Sequence, residues 1–157
     1  MAPPSIEYSV TDFSGIERIR SLWNELNRHH NTRARAFRDV YSRMTFDDRK
    51  AHFATIAGAG RFRIDLASDP AGGICVGYCV SSVNPAGDAE IESVFVAPAF
   101  RSRGVGTALM ERVLAWLSAQ NPGRIQVWVA DGNEEAFAFY RKFRFYPRMT
   151  VLEQKIP

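Results

Sequence analysis

The sequence predicts an α/β fold in which one mixed, mostly antiparallel central sheet is flanked by helices. Three apolar runs, Arg61–Ala67, Ile74–Val83 and Ala89–Val96, are separated only by the turn signals DPAGG and NPAG, which favours a meander with short antiparallel connections. From the last of them onward, strand-like and helix-like patterns alternate as β-α-β-α-β, the order that lays helices on a sheet. The 157 residues are 46% hydrophobic and 24% charged, a composition that supports a single domain over 1–157.

Each element has its own signal. Ser5–Val10 has the pattern of a short strand, and Asp12 or Ser14 is placed to cap a helix whose apolar residues Ile16, Ile19, Trp23 and Leu26 share one face. An arginine-rich helix is expected around Ala34–Ser42. Another is expected over Asp47–Ala57, opened by a capping box of Thr45 and Asp48 and stopped by the glycines at 58–60. After the meander, Val105, Leu109, Val113 and Leu117 form the apolar stripe of a long helix closed by Asn121-Pro122-Gly123. Arg124–Ala130 then reads as a strand, Asn133–Lys142 as a helix and Phe145–Gln154 as a last strand interrupted near Pro147.

The most informative stretch is IESVFVAPAFRSRGVGTALMERVLAWL, a strand that enters a basic, glycine-containing turn and passes directly into a periodic helix. A helix N-terminus has unpaired N–H groups and the positive end of the helix dipole, so the segment Arg101, Ser102, Arg103, Gly104, Val105, Gly106 and Thr107 suits a diphosphate. A P-loop would need a lysine after the second glycine, and a dinucleotide fingerprint would need a third glycine; both are missing.

Here the chain resembles the GNAT superfamily of acetyl-CoA-dependent N-acetyltransferases. Its signature, Arg or Gln followed by x-x-Gly-x and Gly or Ala, is met by Arg101 to Gly106, after Val96-Ala97-Pro98. The segment NEEAFAFY supplies the family's second element, an Asn (Asn133) seven residues before a Tyr (Tyr140). The match covers about residues 61–150, and the first sixty follow only the general strand-helix-helix pattern.

The resemblance implies that Val94, Phe95 and Val96 offer their backbone to the pantetheine arm of acetyl-CoA, with one N–H polarising the thioester carbonyl. It implies that Tyr140 is the general acid for the departing thiolate and that Asn133 bonds the pantetheine or caps its helix. Glu92 corresponds to a position where family members place a general base, and alternation along the strand puts Glu90 on the same side. Where the family often has Tyr-x-x-x-Gly-Phe, this chain has Arg144 in place of the glycine, so the turn there is expected to be loose or strained.

The expected activity is acetyl transfer from acetyl-CoA to a primary amine by direct attack in a ternary complex. A small-molecule acceptor comes first and a protein or peptide amine second; an acyl-CoA sensor without catalysis is the alternative. The charge of +3 is modest, and Arg33, Arg35, Arg38 and Arg43 read as a solvated helix face, so no nucleic-acid partner is expected. Cys75 and Cys79 lie on one strand, and His29, His30 and His52 lack ligand spacing, so neither a disulfide nor a metal is expected. The start of the chain lacks the features of a leader and no run is long enough for a membrane span, which makes the expected location cytoplasmic. A homodimer is common in the family, with Trp23 or the last strand as candidate contacts.

Overall fold

The computed structural model describes residues 5–157. Met1–Pro4, part of the segment read for a leader, lie outside the described residues. The strands β1 (Glu7–Thr11), β2 (Arg61–Asp69), β3 (Ile74–Val83), β4 (Ala89–Val96) and β5 (Ile125–Val127) form one sheet in sequence order. The first four pair antiparallel, and β5 joins β4 in parallel. The expected meander and mixed sheet are therefore present.

Helices cover both faces. On one lies α4 (Val105–Ala119), whose Val105, Leu109, Met110, Val113 and Leu117 are buried against Val76, Cys79, Val83 and Ile91. The opposite face carries a 3-10 segment over Phe13–Ile19, α1 (Arg20–Arg33) and α3 (Phe46–Ala59), which bury Ile16, Ile19, Trp23, Phe46 and Phe53 against Ile64, Leu66, Tyr78 and Phe95. Trp23 is 5% exposed and its ring centroid is 5.6 Å from that of Phe46, so it belongs to the core and is not a subunit contact. No helix among the described residues is long and apolar enough to cross a membrane.

Local chemistry explains the helix boundaries. Asp12 caps the first turn by accepting from the Ser14 N–H at 2.9 Å. Thr45 and Asp48 form the capping box, each side chain accepting from the other's N–H at 3.1 Å. That helix runs past Gly58 to Ala59; the stop comes at Gly60, where a Cβ would collide with the Val83 carbonyl oxygen. The arginine-rich helix α2 is shorter and later than expected, spanning Arg38–Arg43.

The C-terminal third departs further from expectation. The strand read at Arg124–Ala130 is limited to Ile125–Val127, the helix read at Asn133–Lys142 is α5 over Ala136–Arg141, and Phe145–Gln154 forms no strand. Alternation is a local signal, whereas a strand requires a partner backbone. Arg144 sits at φ +67, in the left-handed region, and beyond it the chain does not pair with β5. Instead the tail reaches the connection before α2, where Lys155 Nζ donates to the Ala36 carbonyl at 2.9 Å. Met149, Val151, Leu152 and Ile156 are left exposed.

Candidate active site

The parallel pairing of β4 with β5 is brief. It joins Ala89 to Ile125, Glu90 to Gln126 and Ile91 to Val127, and then stops. From Ser93 to Val96 the β4 backbone is paired only with β3, which leaves its other edge without a neighbouring strand. Val94, Phe95 and Val96 thus present an open main-chain edge, the surface on which an extended ligand adds as a strand.

That edge leads straight to the basic loop. A 3-10 turn over Pro98–Phe100 is followed by Ser102 at φ +60 and Gly104 at φ +78, and α4 starts at Val105. Ala108 N–H closes onto the Gly104 carbonyl at 2.9 Å, so the amides of Val105, Gly106 and Thr107 have no acceptor one turn earlier in the helix. Gly104 and Gly106 serve different needs. A Cβ at Gly104 would meet nothing, so the requirement there is the left-handed backbone; a Cβ at Gly106 would press on the Phe139 ring at 3.3 Å. Arg101 lies over the Phe95 ring and donates from Nε to the Val96 carbonyl at 2.9 Å, while Arg103 lies over Phe100. Strand edge, arginines and helix start are thereby one continuous surface with the donors and charge that a pantetheine diphosphate requires.

A cavity of about 1210 Å³ opens between α1, α2, α3 and the β4–β5 end of the sheet. Glu90, Glu92, Val94, Asn133 and Tyr140 line it, whereas the loop Arg101–Thr107 does not. A β-bulge sets the positions of the carboxylates. Pairing runs Val80 with Ser93 and then Ser81 with Ile91, so Glu92 has no partner on β3. Across the bulge the packing changes phase: Ala89 and Ile91 are buried on the α4 side before it, and Val94 and Val96 pack on that side after it.

The two glutamates differ in their surroundings. The Glu92 side chain is 6% exposed; it accepts from Ser82 Oγ at 2.6 Å and lies 3.8 Å from Arg49 Nη2 of α3. The same guanidinium donates to the Glu92 main-chain carbonyl at 2.9 Å and lies over the Phe53 ring. Burial lowers the pKa of Arg49, against the pull of Glu92. Glu90 is half-buried, and burial, followed by the repulsion of Glu92, pushes its carboxyl up to about 7. Arg49 opposes that shift, as do Gln126 and Trp128.

Tyr140 is 9% exposed, with its ring 5.3 Å from Phe139 and 6.1 Å from Phe145. It is at once part of an aromatic cluster and part of the cavity wall. Burial raises its phenol well above the ordinary range, so the hydroxyl keeps its proton at neutral pH. Asn133 does not cap α5, whose N-cap is Glu135 without a side-chain bond; its Oδ1 lies 3.4 Å from His29 Nε2.

Several cavity residues are invisible to motif reading. Arg49 and Ser82 bind Glu92 from distant parts of the chain. His30 lies 5.4 Å from the Tyr41 ring at a tilt of 41°, has a buried Nδ1 without a hydrogen-bond partner, and is pushed down to about 4 by burial and by His29. Of the arginines read as a solvated face, Arg35 bonds Asp131 at 2.6 Å and Arg33 lies 3.5 Å from Glu135, pinning the end of α1 to the segment before α5.

Comparison with known proteins agrees with this geometry. The family described as Acetyltransferase (GNAT) family matches residues 19–145. An uncharacterized N-acetyltransferase of Methanocaldococcus jannaschii is 30% identical over 59% of this chain and 41% of its own length. Streptothricin acetyltransferase A of Bacillus subtilis is 27% identical over 73% of this chain and 63% of its own. The chain thus spans less than two thirds of either relative. Among solved structures, the aminoglycoside N-acetyltransferase AAC(6')-Iy in complex with CoA superposes with a TM-score of 0.70 at 18% identity, over 99% of this chain and 97% of that one. With the family match extending over most of the sequence, this chain belongs to the GNAT acetyltransferase family.

Proposed function

We propose that this chain transfers an acetyl group from acetyl-CoA to the amine of a small molecule. The observation that carries the reading is the unpaired β4 edge over Glu92–Val96, which runs into the amide-rich start of α4 and borders the cavity. The CoA complexes of AAC(6')-Iy, which share the fold, support the choice of carrier.

The chain's groups divide the work as follows. Val105, Gly106 and Thr107 amides, with Arg101 and Arg103, hold the diphosphate, and the Val94–Val96 edge holds the pantetheine. An acceptor ammonium gives one proton to Glu90, and its nitrogen bonds to the thioester carbonyl carbon. A main-chain N–H of the β4 edge stabilises the resulting oxyanion. As the carbon–sulfur bond breaks, Tyr140 donates its hydroxyl proton to the sulfur and recovers one from the nitrogen, leaving amide and free thiol. Glu90 suits the role of base better than Glu92: its proton affinity is near neutrality, while Glu92 is engaged by Ser82 and Arg49. Glu92 then acts as a positioning residue that also raises the basicity of Glu90.

The test is an incubation with acetyl-CoA and a broad amine panel, reading free thiol and acetylated product by mass. Stoichiometric thiol and N-acetyl product are expected. Saturable acetyl-CoA binding without product from any amine would instead favour a sensor. The exposed apolar tail, with Leu152 at 91% and Met149 at 78%, supports self-association into a homodimer. Sedimentation equilibrium returning only the monomer mass at micromolar concentration would count against that.

A further inference from the structure

We infer that the acceptor is a monoamine with a flat, aromatic body, and not a polycationic amino sugar or polyamine. The inference rests on the acetyltransferase reading and concerns the charge and shape of the cavity.

A polycation needs several carboxylates free to meet it, because each ammonium that loses water without gaining a counter-charge opposes binding. The acids of this cavity are largely committed. Glu92 faces Arg49 and Ser82, Asp88 lies 3.3 Å from Arg124, and Asp131 is bonded by Arg35. Arg49 and Arg124 themselves form part of the wall, where they repel further positive charge. Among the described residues of the wall, only Glu90 and Glu153 lack an ion-pair partner, and Glu153 lies exposed on the C-terminal tail. One ammonium is thus matched inside, by Glu90, the carboxylate in the middle of the short β4–β5 pairing.

The remaining wall is suited to a ring. The His30 and Tyr41 rings lie 5.4 Å apart with their planes tilted by 41°, and Phe37, Met44 and Trp128 complete an apolar and aromatic surface. His30 is uncharged at neutral pH, because burial disfavours its cation, so it adds no positive charge to this surface. Aromatic contacts of this kind discriminate by shape as well as by area.

The test compares kcat/KM for 2-phenylethylamine, tyramine and tryptamine with kanamycin, neamine and spermidine, alongside a calorimetric titration with acetyl-CoA. The best aromatic monoamine should exceed every polycation by about tenfold or more, and Tyr41→Ala should raise its KM by about tenfold with little change in kcat. Preference for kanamycin, neamine or spermidine, or an unchanged KM in Tyr41→Ala, would overturn the inference while leaving acetyl transfer standing. Acetyl-CoA binding with no turnover of any amine would also overturn it. Absence of acetyl-CoA binding would remove the underlying reading as well.

Discussion

Arg49, on α3, donates to the main-chain carbonyl of Glu92 at 2.9 Å and so fastens a helix from the first half of the chain to the bulge in β4. The contact occupies one glutamate and leaves the other, Glu90, beside a negative neighbour in a partly desolvated position.

Glu90 must be ionised to accept a proton, and its carboxyl is pushed up to about 7. With a saturating acceptor, kcat should rise with pH through about 7 and then level off. Glu90→Gln should lower kcat by about 10²-fold and flatten that limb, whereas Glu92→Gln should shift it to lower pH by removing the repulsion. The same shift affects stability. The folded state holds the Glu90 proton more tightly than the unfolded chain, whose reference is 4.5, so stability falls as pH rises from 4.5 to about 7. Urea unfolding of Glu90→Gln across this window should show a weaker fall; an unchanged slope would speak against the assignment.

Tyr140 is held among Phe139 and Phe145 with its proton retained. Tyr140→Phe keeps the ring and removes the donor, so kcat should fall by roughly 10²-fold or more while acetyl-CoA affinity changes little. Rapid-mixing measurement of thiol release separates these effects. Equal kcat in the two proteins would reduce Tyr140 to a packing residue.

Both the loop and the Asn133–Tyr140 spacing were legible in the sequence, because each is encoded within a few consecutive residues. The bulge at Glu92 and the Arg49 and Ser82 contacts were not, since they depend on partners 43 and 10 residues away. The tail departs from its strand pattern for a related reason: no strand edge meets Phe145–Gln154. Asn133 lines the cavity and does not cap α5, whose N-cap is Glu135 without any side-chain bond.

Arg144 at φ +67 occupies a position where the sequence pattern suggested glycine. A left-handed backbone costs a residue with a Cβ about 1–2 kcal/mol, and glycine's extra freedom when unfolded offsets part of the relief. Arg144→Gly should therefore stabilise the protein by about 0.5–1 kcal/mol and raise Tm by about 1–4 °C. Calorimetry showing a lower Tm would mean that the Arg144 side chain contributes more than its backbone costs.

Gly104 supplies the left-handed residue that starts α4, at φ +78, with open space around its Cα. Gly104→Ala should disturb the loop and weaken acetyl-CoA binding by about tenfold, while Arg101→Ala should raise KM for acetyl-CoA with kcat nearly intact. Unaltered KM in both variants would relocate the diphosphate.

Amide NMR of the assigned protein during titration with acetyl-CoA is the most direct check. Saturable shifts concentrated at Ser102–Thr107 and along Val94–Val96 are expected, because the helix start leaves the Val105–Thr107 amides without helical acceptors and the early parting of β4 and β5 opens the β4 edge. A saturating titration that leaves those amides unmoved, or moves only others, would contradict the placement of the carrier and the chemistry built on it.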